Sequence, residues 1–332
     1  GAAFLRGLCA GEGAVFGFPN HLGQSCGGFL GTGREYPFFL SLSCACSKIG
    51  GFLWVNFGKD RHIMTVLIFI EGVSGVGKST MVSRIAKDLE EQGYKIKAYL
   101  EFDFANPIDF YSTAWLTEAE YEALCFRHIS ERSAIWRYTI CVKNGKLIKY
   151  YNQDKPLFQE PLLSELKEKE FCYKPEHPVS FAEYTSIYES VWKVFAAGVD
   201  EAYDFILFDG SLLHHPINDM MRNYHIAGEQ AVSHIVTLLH ALGNRKRYIF
   251  YLRTEDVASQ LKKAHVNRKQ HEPTEKEIDF WKRRRENDRI VLEKLNESVE
   301  IFDVLNDGWE QARKRMEEIL IGSKKWDGKQ DS

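Results

Sequence analysis

Apolar residues follow two rhythms along this chain. Short apolar runs at 66–70, 95–100, 203–208, 246–252 and 299–304 predict five strands. Between them, apolar positions recur at helical spacing. Val82, Ile85, Ala86 and Leu89 follow the first run, with Gly93 as a stop, and Ile226, Ala227, Val232, Ile235, Val236, Leu239 and Leu242 precede the fourth. Further helices are predicted over 118–130 and 181–197, from Val257 onward, and over 309–320. Strands alternating with helices predict an α/β domain whose parallel sheet lies between helical layers, three layers in all.

The stretch 105–200 departs from that rhythm. It is rich in aromatics and holds one hairpin signal: 136–142 and 146–151 flank Asn144-Gly145, two residues that tolerate positive φ. A helical cap with an inserted β-hairpin, projecting from the ligand edge of the sheet, is the expectation. Phe104, Phe110, Tyr111, Trp115, Tyr184, Tyr188 and Trp192 would either stack a planar substrate or form the core of that cap, and core is the commoner fate of any single aromatic.

The first strand breaks into Gly72, Val73, Ser74, Gly75, Val76, Gly77, Lys78, Ser79 and Thr80, and a helix follows. Gly72, Gly75, Gly77, Lys78 and Ser79 fill the pattern GxxxxGK(S/T), in which backbone N–H groups at a helix start bind anionic phosphate. The stretch therefore predicts a nucleoside-triphosphate cradle. Glu101 and Asp103 stand at the C-terminal end of the second strand, the edge at which open α/β sheets bind ligands. Asp209 ends the third strand, where a magnesium-directed carboxylate is expected downstream of a phosphate loop; capping the next helix is its alternative role. His214 and His215 are adjacent, so in an extended chain they point to opposite sides, and no histidine four residues away completes a metal pair. Substrate contact or structural hydrogen bonding is their expected role.

Arg253 ends the fourth strand, and 262–285 is a basic lid segment. Its Lys262, Lys263, Arg268, Lys269 and the run Lys282, Arg283, Arg284 and Arg285 would close cations over a triphosphate, or simply face solvent.

Composition narrows the classes without choosing among them. At 44% hydrophobic and 27% charged, with net charge −3, the 332 residues are ordinary for a globular protein and are not built as a nucleic-acid-binding surface. No apolar run reaches the ~18 residues of a membrane span. Seven cysteines, odd in number and without paired CxxC spacing, read as reduced thiols, which with the lack of a span predicts a soluble, cytoplasmic protein. Residues 1–63 hold 13 of the 25 glycines and no methionine, and are expected to be a poorly ordered extension outside the functional domain; a targeting peptide is the alternative. The domain is expected to run over 64–322, with a polar, frayed tail over 323–332.

In its order of strand, phosphate loop, acids, cap, Asp209-Gly210-Ser211, Leu252-Arg253, basic lid and final strand, the chain resembles the nucleoside and nucleotide kinase group of P-loop proteins, the deoxynucleoside kinase and thymidylate kinase relatives, over about 64–321. The resemblance implies a P-loop NTPase fold, ATP and Mg²⁺. Lys78 would contact the β- and γ-phosphates, Ser79 would ligate Mg²⁺, and Glu101 would take the acceptor's proton, with Asp103 as its competitor. Arg253 and Arg268 would join the catalytic group. It also implies a small phosphoryl acceptor, a nucleoside or nucleotide, with neither a nucleic-acid polymer nor a membrane as partner; a homodimer is the assembly of many relatives. One departure stands out: those kinases carry Asp-Arg-Ser or Asp-Arg-Tyr where this chain has Asp209-Gly210-Ser211. The alternatives are a kinase of an antibiotic or sugar, and an NTP-hydrolysing switch or partner-binding ATPase; the Asn-Lys-x-Asp motif of GTPase switches is absent. A chain beginning at Met64 should be soluble and bind nucleotide; insolubility, or no binding in a nucleotide titration, would contradict the proposed boundary.

Overall fold

The computed structural model describes residues 64–173, 179–305 and 308–327. The expected extension 1–63 and the last five positions of the expected tail lie outside the described residues. In chain order the elements are β1 (Val66–Gly72), α1 (Lys78–Glu91), β2 (Ile96–Tyr99), β3 (Thr113–Thr117), α2 (Glu118–Arg127), α3 (Arg132–Arg137), β4 (Thr139–Val142), β5 (Gly145–Lys149), β6 (Tyr151–Asn152), β7 (Lys155–Pro156) and α4 (Leu162–Glu168). There follow α5 (Phe181–Ala197), β8 (Phe205–Asp209), α6 (His214–Asn223), α7 (Glu229–Ala241), β9 (Arg247–Arg253), α8 (Val257–Asn267), α9 (Glu275–Lys294), β10 (Val299–Asp303) and α10 (Gly308–Asp327). They fall into two compact units, one holding Thr113–Lys169 and the other the described residues before and after it.

The larger unit is built on a five-stranded, all-parallel sheet in the order β10-β9-β1-β8-β2. β1 is central and buried at every position, which explains an apolar run with no polar alternation. Val66, Ile68 and Ile70 pack with Met81, Val82, Ile85 and Leu89 of α1 and with Met316 and Leu320 of α10. Phe69 lies on the other face, stacked on Trp192 of α5 at 5.7 Å and on Phe208 of β8 at 5.2 Å. Alternate residues of one strand thus feed two helical layers, and the sheet is the middle of three. Ser180 caps α5 in a reciprocal capping box with Glu183, and Thr274 does the same for α9 with Glu277.

Tyr184, Tyr188 and Trp192 are fully buried in α5, which packs on α7 within this unit, so these three aromatics are core. The last helix runs on to Asp327, past the predicted end at 320. Ser323 and Lys324 are buried on it, and the expected polar tail therefore begins later.

The smaller unit holds the antiparallel sheet β3-β5-β4. Asn144 takes φ 70° at the predicted turn. The hairpin arm predicted from 136 starts instead at Thr139, because 136–137 close α3. β3 was not anticipated. A two-stranded hairpin alone is marginal in water, and the third strand brings Ala114 and Leu116 onto a core with Leu124, Ile135, Ile148 and Leu162.

Replacing Trp192 with alanine empties the centre of the α5 layer, and should lower stability by roughly 3–5 kcal/mol in a chemical-denaturation titration followed by circular dichroism.

Candidate functional site

The site begins where β1 ends. Gly75 and Gly77 take φ of +86° and +91°, conformations that side chains disfavour. Space forbids side chains as well: a Cβ on Gly77 would lie 2.7 Å from Trp309 Nε1, and one on Gly75 2.8 Å from the Ala264 Cβ. The loop is therefore pressed between α8 and the start of α10. Gln260 Nε2 of α8 donates to the Gly75 carbonyl at 2.7 Å. Gly77 is the N-cap of α1, no side chain caps that helix, and its first turn carries no acid. Its N–H groups and positive dipole end are thus left to an anion. This loop, between the central strand of a parallel sheet and a helix, has the geometry of a phosphate-binding loop.

Lys78 is buried, and its Nζ donates to the Val73 carbonyl at 3.2 Å, holding the side chain along the loop. Burial lowers its pKa, opposed by Asp209, Glu101 and Glu71. His214 stands 3.3 Å away through Nδ1, the same atom that is 3.0 Å from the Gly72 carbonyl. A protonated Nδ1 donates to that carbonyl, and a bare one accepts from the Lys78 ammonium. Burial first, then the charge of Lys78, hold His214 well below the usual histidine range, and the ring is neutral.

Glu71, the penultimate residue of β1, is fully buried and accepts the amides of Leu212 at 2.8 Å and His214 at 2.9 Å. Behind this loop Arg284 of α9 is fully buried, donating to the Leu213 carbonyl at 2.7 Å and paired with Asp288, which accepts from Tyr251 Oη at 2.8 Å. Glu71, Asp288 and Tyr251 were not anticipated, and Arg284, expected as a lid cation or on a solvated face, is instead buried. Arg284 sits in a run of four cations that resembles a solvated face, and only Glu71, an acid closing an apolar strand, carried a local signal. The structure also corrects the extended reading of His214 and His215, which open α6.

Gly210 explains the absent arginine. Its φ is +67°, and a Cβ there would meet the His214 Cβ at 2.9 Å and Lys78 Cε at 3.3 Å, so the turn after Asp209 has no room for a long side chain.

Asp209 ends β8 opposite Ile70. It is buried, its Oδ2 lies 3.4 Å from the Glu101 amide, and its Oδ1 has no hydrogen-bond partner. A buried carboxylate oxygen without a partner is costly, and it fits a divalent cation carried in on phosphate, with Ser79 in the first turn of α1 as the hydroxyl ligand. Among the described residues no group of three His, Cys, Asp or Glu side chains is gathered as a metal cage. Mg²⁺ characteristically needs only one or two protein ligands beside phosphate and water.

Glu101 and Asp103 part company. Glu101 is 31% exposed, with Oε1 3.8 Å from His215 Nε2 and 4.0 Å from His214 Nε2. Burial raises its pKa, His215 opposes the rise, Asp209 adds to it, and Lys78 and Arg268 oppose it. Asp103 instead accepts the Ala105 amide at 2.9 Å and closes a local turn. Arg253 forms a two-pronged ion pair with Asp303, both contacts at 2.7 Å, where the sequence suggested a cation over the triphosphate. Arg268 is exposed at the end of α8, and its charge reaches Glu101.

No protein-family model and no curated protein sequence matches the chain. Solved structures similar to it include a gluconokinase from Sinorhizobium meliloti 1021, at 14% identity and a TM-score of 0.30, covering 78% of this chain and 98% of that one. A thymidylate kinase from Candida albicans has 15% identity and a TM-score of 0.41, covering 79% and 93%. No helix among the described residues is long and apolar enough to cross a membrane.

Burial raises the Glu71 pKa from 4.5 to about 7, against the two amides that favour its charged form. A raised carboxyl binds its proton more tightly in the folded state, so its contribution is full below about pH 4.5 and is lost as pH rises to about 7. Over that window the protein should lose stability relative to Glu71→Gln by an amount on the order of 3 kcal/mol, measured as denaturation midpoints against pH.

Proposed function

We propose that this chain transfers the γ-phosphoryl group of ATP, with Mg²⁺, to a small acceptor bound beside Glu101. The observation that carries this reading is the electrostatic grouping of Lys78, Asp209 and Glu101. The phosphate loop and a carboxylate with an unpartnered buried oxygen adjoin a second, partly exposed acid that neither of them needs. Phosphoryl transfer asks a protein mainly for positioning and for charge placed where charge develops.

The amides from Gly75 to Thr80 and the Lys78 ammonium hold the triphosphate. Ser79 and Asp209 would hold Mg²⁺, which would supply positive charge against that of the phosphate. Glu101, raised toward neutrality by burial, is suited to receive a proton from an acceptor hydroxyl. Arg268, at the end of a helix that already grips the loop through Gln260, supplies a second cation on the exposed side.

Lys78→Ala and Asp209→Asn should each lower ADP release by at least about a hundredfold while circular dichroism stays unchanged. Undiminished ATP consumption by Lys78→Ala would overturn the reading.

A further inference from the structure

His215 is only 3% exposed, yet neither of its ring nitrogens has a hydrogen-bond partner. Two carboxylates flank it: Asp109 Oδ2 is 3.7 Å from Nδ1, and Glu101 Oε1 is 3.8 Å from Nε2. The ring lies parallel to Phe102 at 6.2 Å and edge-on to Tyr173 at 6.2 Å, so its plane is fixed. Asp109 is fixed as well, accepting the amides of Phe102 at 3.2 Å and Tyr111 at 3.1 Å. A buried imidazole with two idle nitrogens is an unfavourable arrangement for a protein alone. It becomes favourable once a ligand engages the ring.

Asp109, buried and backbone-bound, faces Nδ1, and Nε2 is turned toward the Glu101 carboxylate. A ring nitrogen and a carboxylate oxygen converging on one place call for a ligand with two neighbouring groups that can hydrogen-bond, at least one of them a donor. Glu101 and Asp109 flank the ring and Asp209 adjoins Glu101, so that place is lined by acid; of the cations whose charge reaches it, Lys78 is directed along the phosphate loop and Arg268 lies exposed at the end of α8. Resting on the phosphotransferase reading above, we propose that His215 Nε2 and Glu101 bind the phosphoryl acceptor through neighbouring hydroxyl groups, and that the acceptor is an uncharged polyol, as a free sugar or as the sugar of a nucleoside, and not a phosphate ester.

One hydroxyl donates to Glu101 and its neighbour hydrogen-bonds to Nε2. The acceptor oxygen bonds to the γ-phosphorus as the bond from that phosphorus to the β–γ bridging oxygen breaks. ADP leaves with that electron pair, and the hydroxyl proton passes to Glu101. His215 is unchanged by the step and holds the second hydroxyl.

The test uses the full chain, with glycerol, glucose, uridine and thymidine as acceptors, each beside its monophosphate, and ADP release as readout. At least one uncharged member should accelerate release and its monophosphate should not; sugars and nucleosides separate the two sources of the polyol. His215→Phe keeps the ring and its packing but removes both nitrogens, and should raise the acceptor KM about tenfold or more without moving the ATP KM. His215→Gln, whose amide still offers a donor and an acceptor, should recover part of that loss. A monophosphate as preferred acceptor, no acceleration by any uncharged member, or an acceptor KM unmoved in both variants would overturn the proposal. Failure to bind a non-hydrolysable ATP analogue in a thermal-shift titration would instead overturn the phosphotransferase reading beneath it.

Discussion

The Glu71 carboxylate, at the end of the central strand and out of reach of water, fixes the amides of Leu212 and His214. Its two hydrogen bonds tie the strand that launches the phosphate loop to the turn that follows its neighbour, β8. Much of the site's geometry follows from that tie. It sets the tight turn at Gly210, lays His214 against Lys78 and the Gly72 carbonyl, and aims the next residue, His215, between Glu101 and Asp109. A parallel sheet sets the distance between strand ends, but it does not set the path of the loops that leave them. Here a buried acid does so.

Such a tie carries an electrostatic cost, and the surroundings offset it. Glu71, Lys78, Arg284 and Asp288 are all buried. Desolvation moves Glu71, Lys78 and Asp288 toward neutrality, while opposite charges among them oppose that movement. Buried ion pairs are poor sources of stability, since desolvation consumes most of the Coulombic gain. Their value here is geometric. Arg284 grips the Leu213 carbonyl from behind, and Tyr251 of β9 grips Asp288, so the turn after β8 is braced from two elements. The same turn excludes a long side chain at Gly210, and histidine and carboxylates stand where the resembling kinases carry an arginine.

Some of this was legible along the chain because its cause is local. The phosphate loop is contiguous, and its glycines answer to φ angles and close contacts that one stretch of backbone imposes. The five parallel strands announced themselves as apolar runs because the central ones are covered on both faces. Glu101 and Asp209 were named by position alone, as acids where strands end at the ligand edge. Distinguishing Glu101 from Asp103 was another matter. Both stand after β2, and only the folded turn shows one spent on the Ala105 amide and the other beside His215. Arg284 was hidden by its neighbours, since a run of four cations gives no hint that one of them turns inward.

By itself the sequence determined the sheet, the helices that cover it and the phosphate cradle, because hydrophobic periodicity and glycine conformation act over a few neighbouring residues. Tertiary structure alone decided what surrounds Glu71 and Glu101. There Glu71 meets amides 141 and 143 residues away, and Asp109 faces a histidine more than a hundred positions later. Contacts of that range leave no period in a sequence, since what fixes them is the packing of elements against one another.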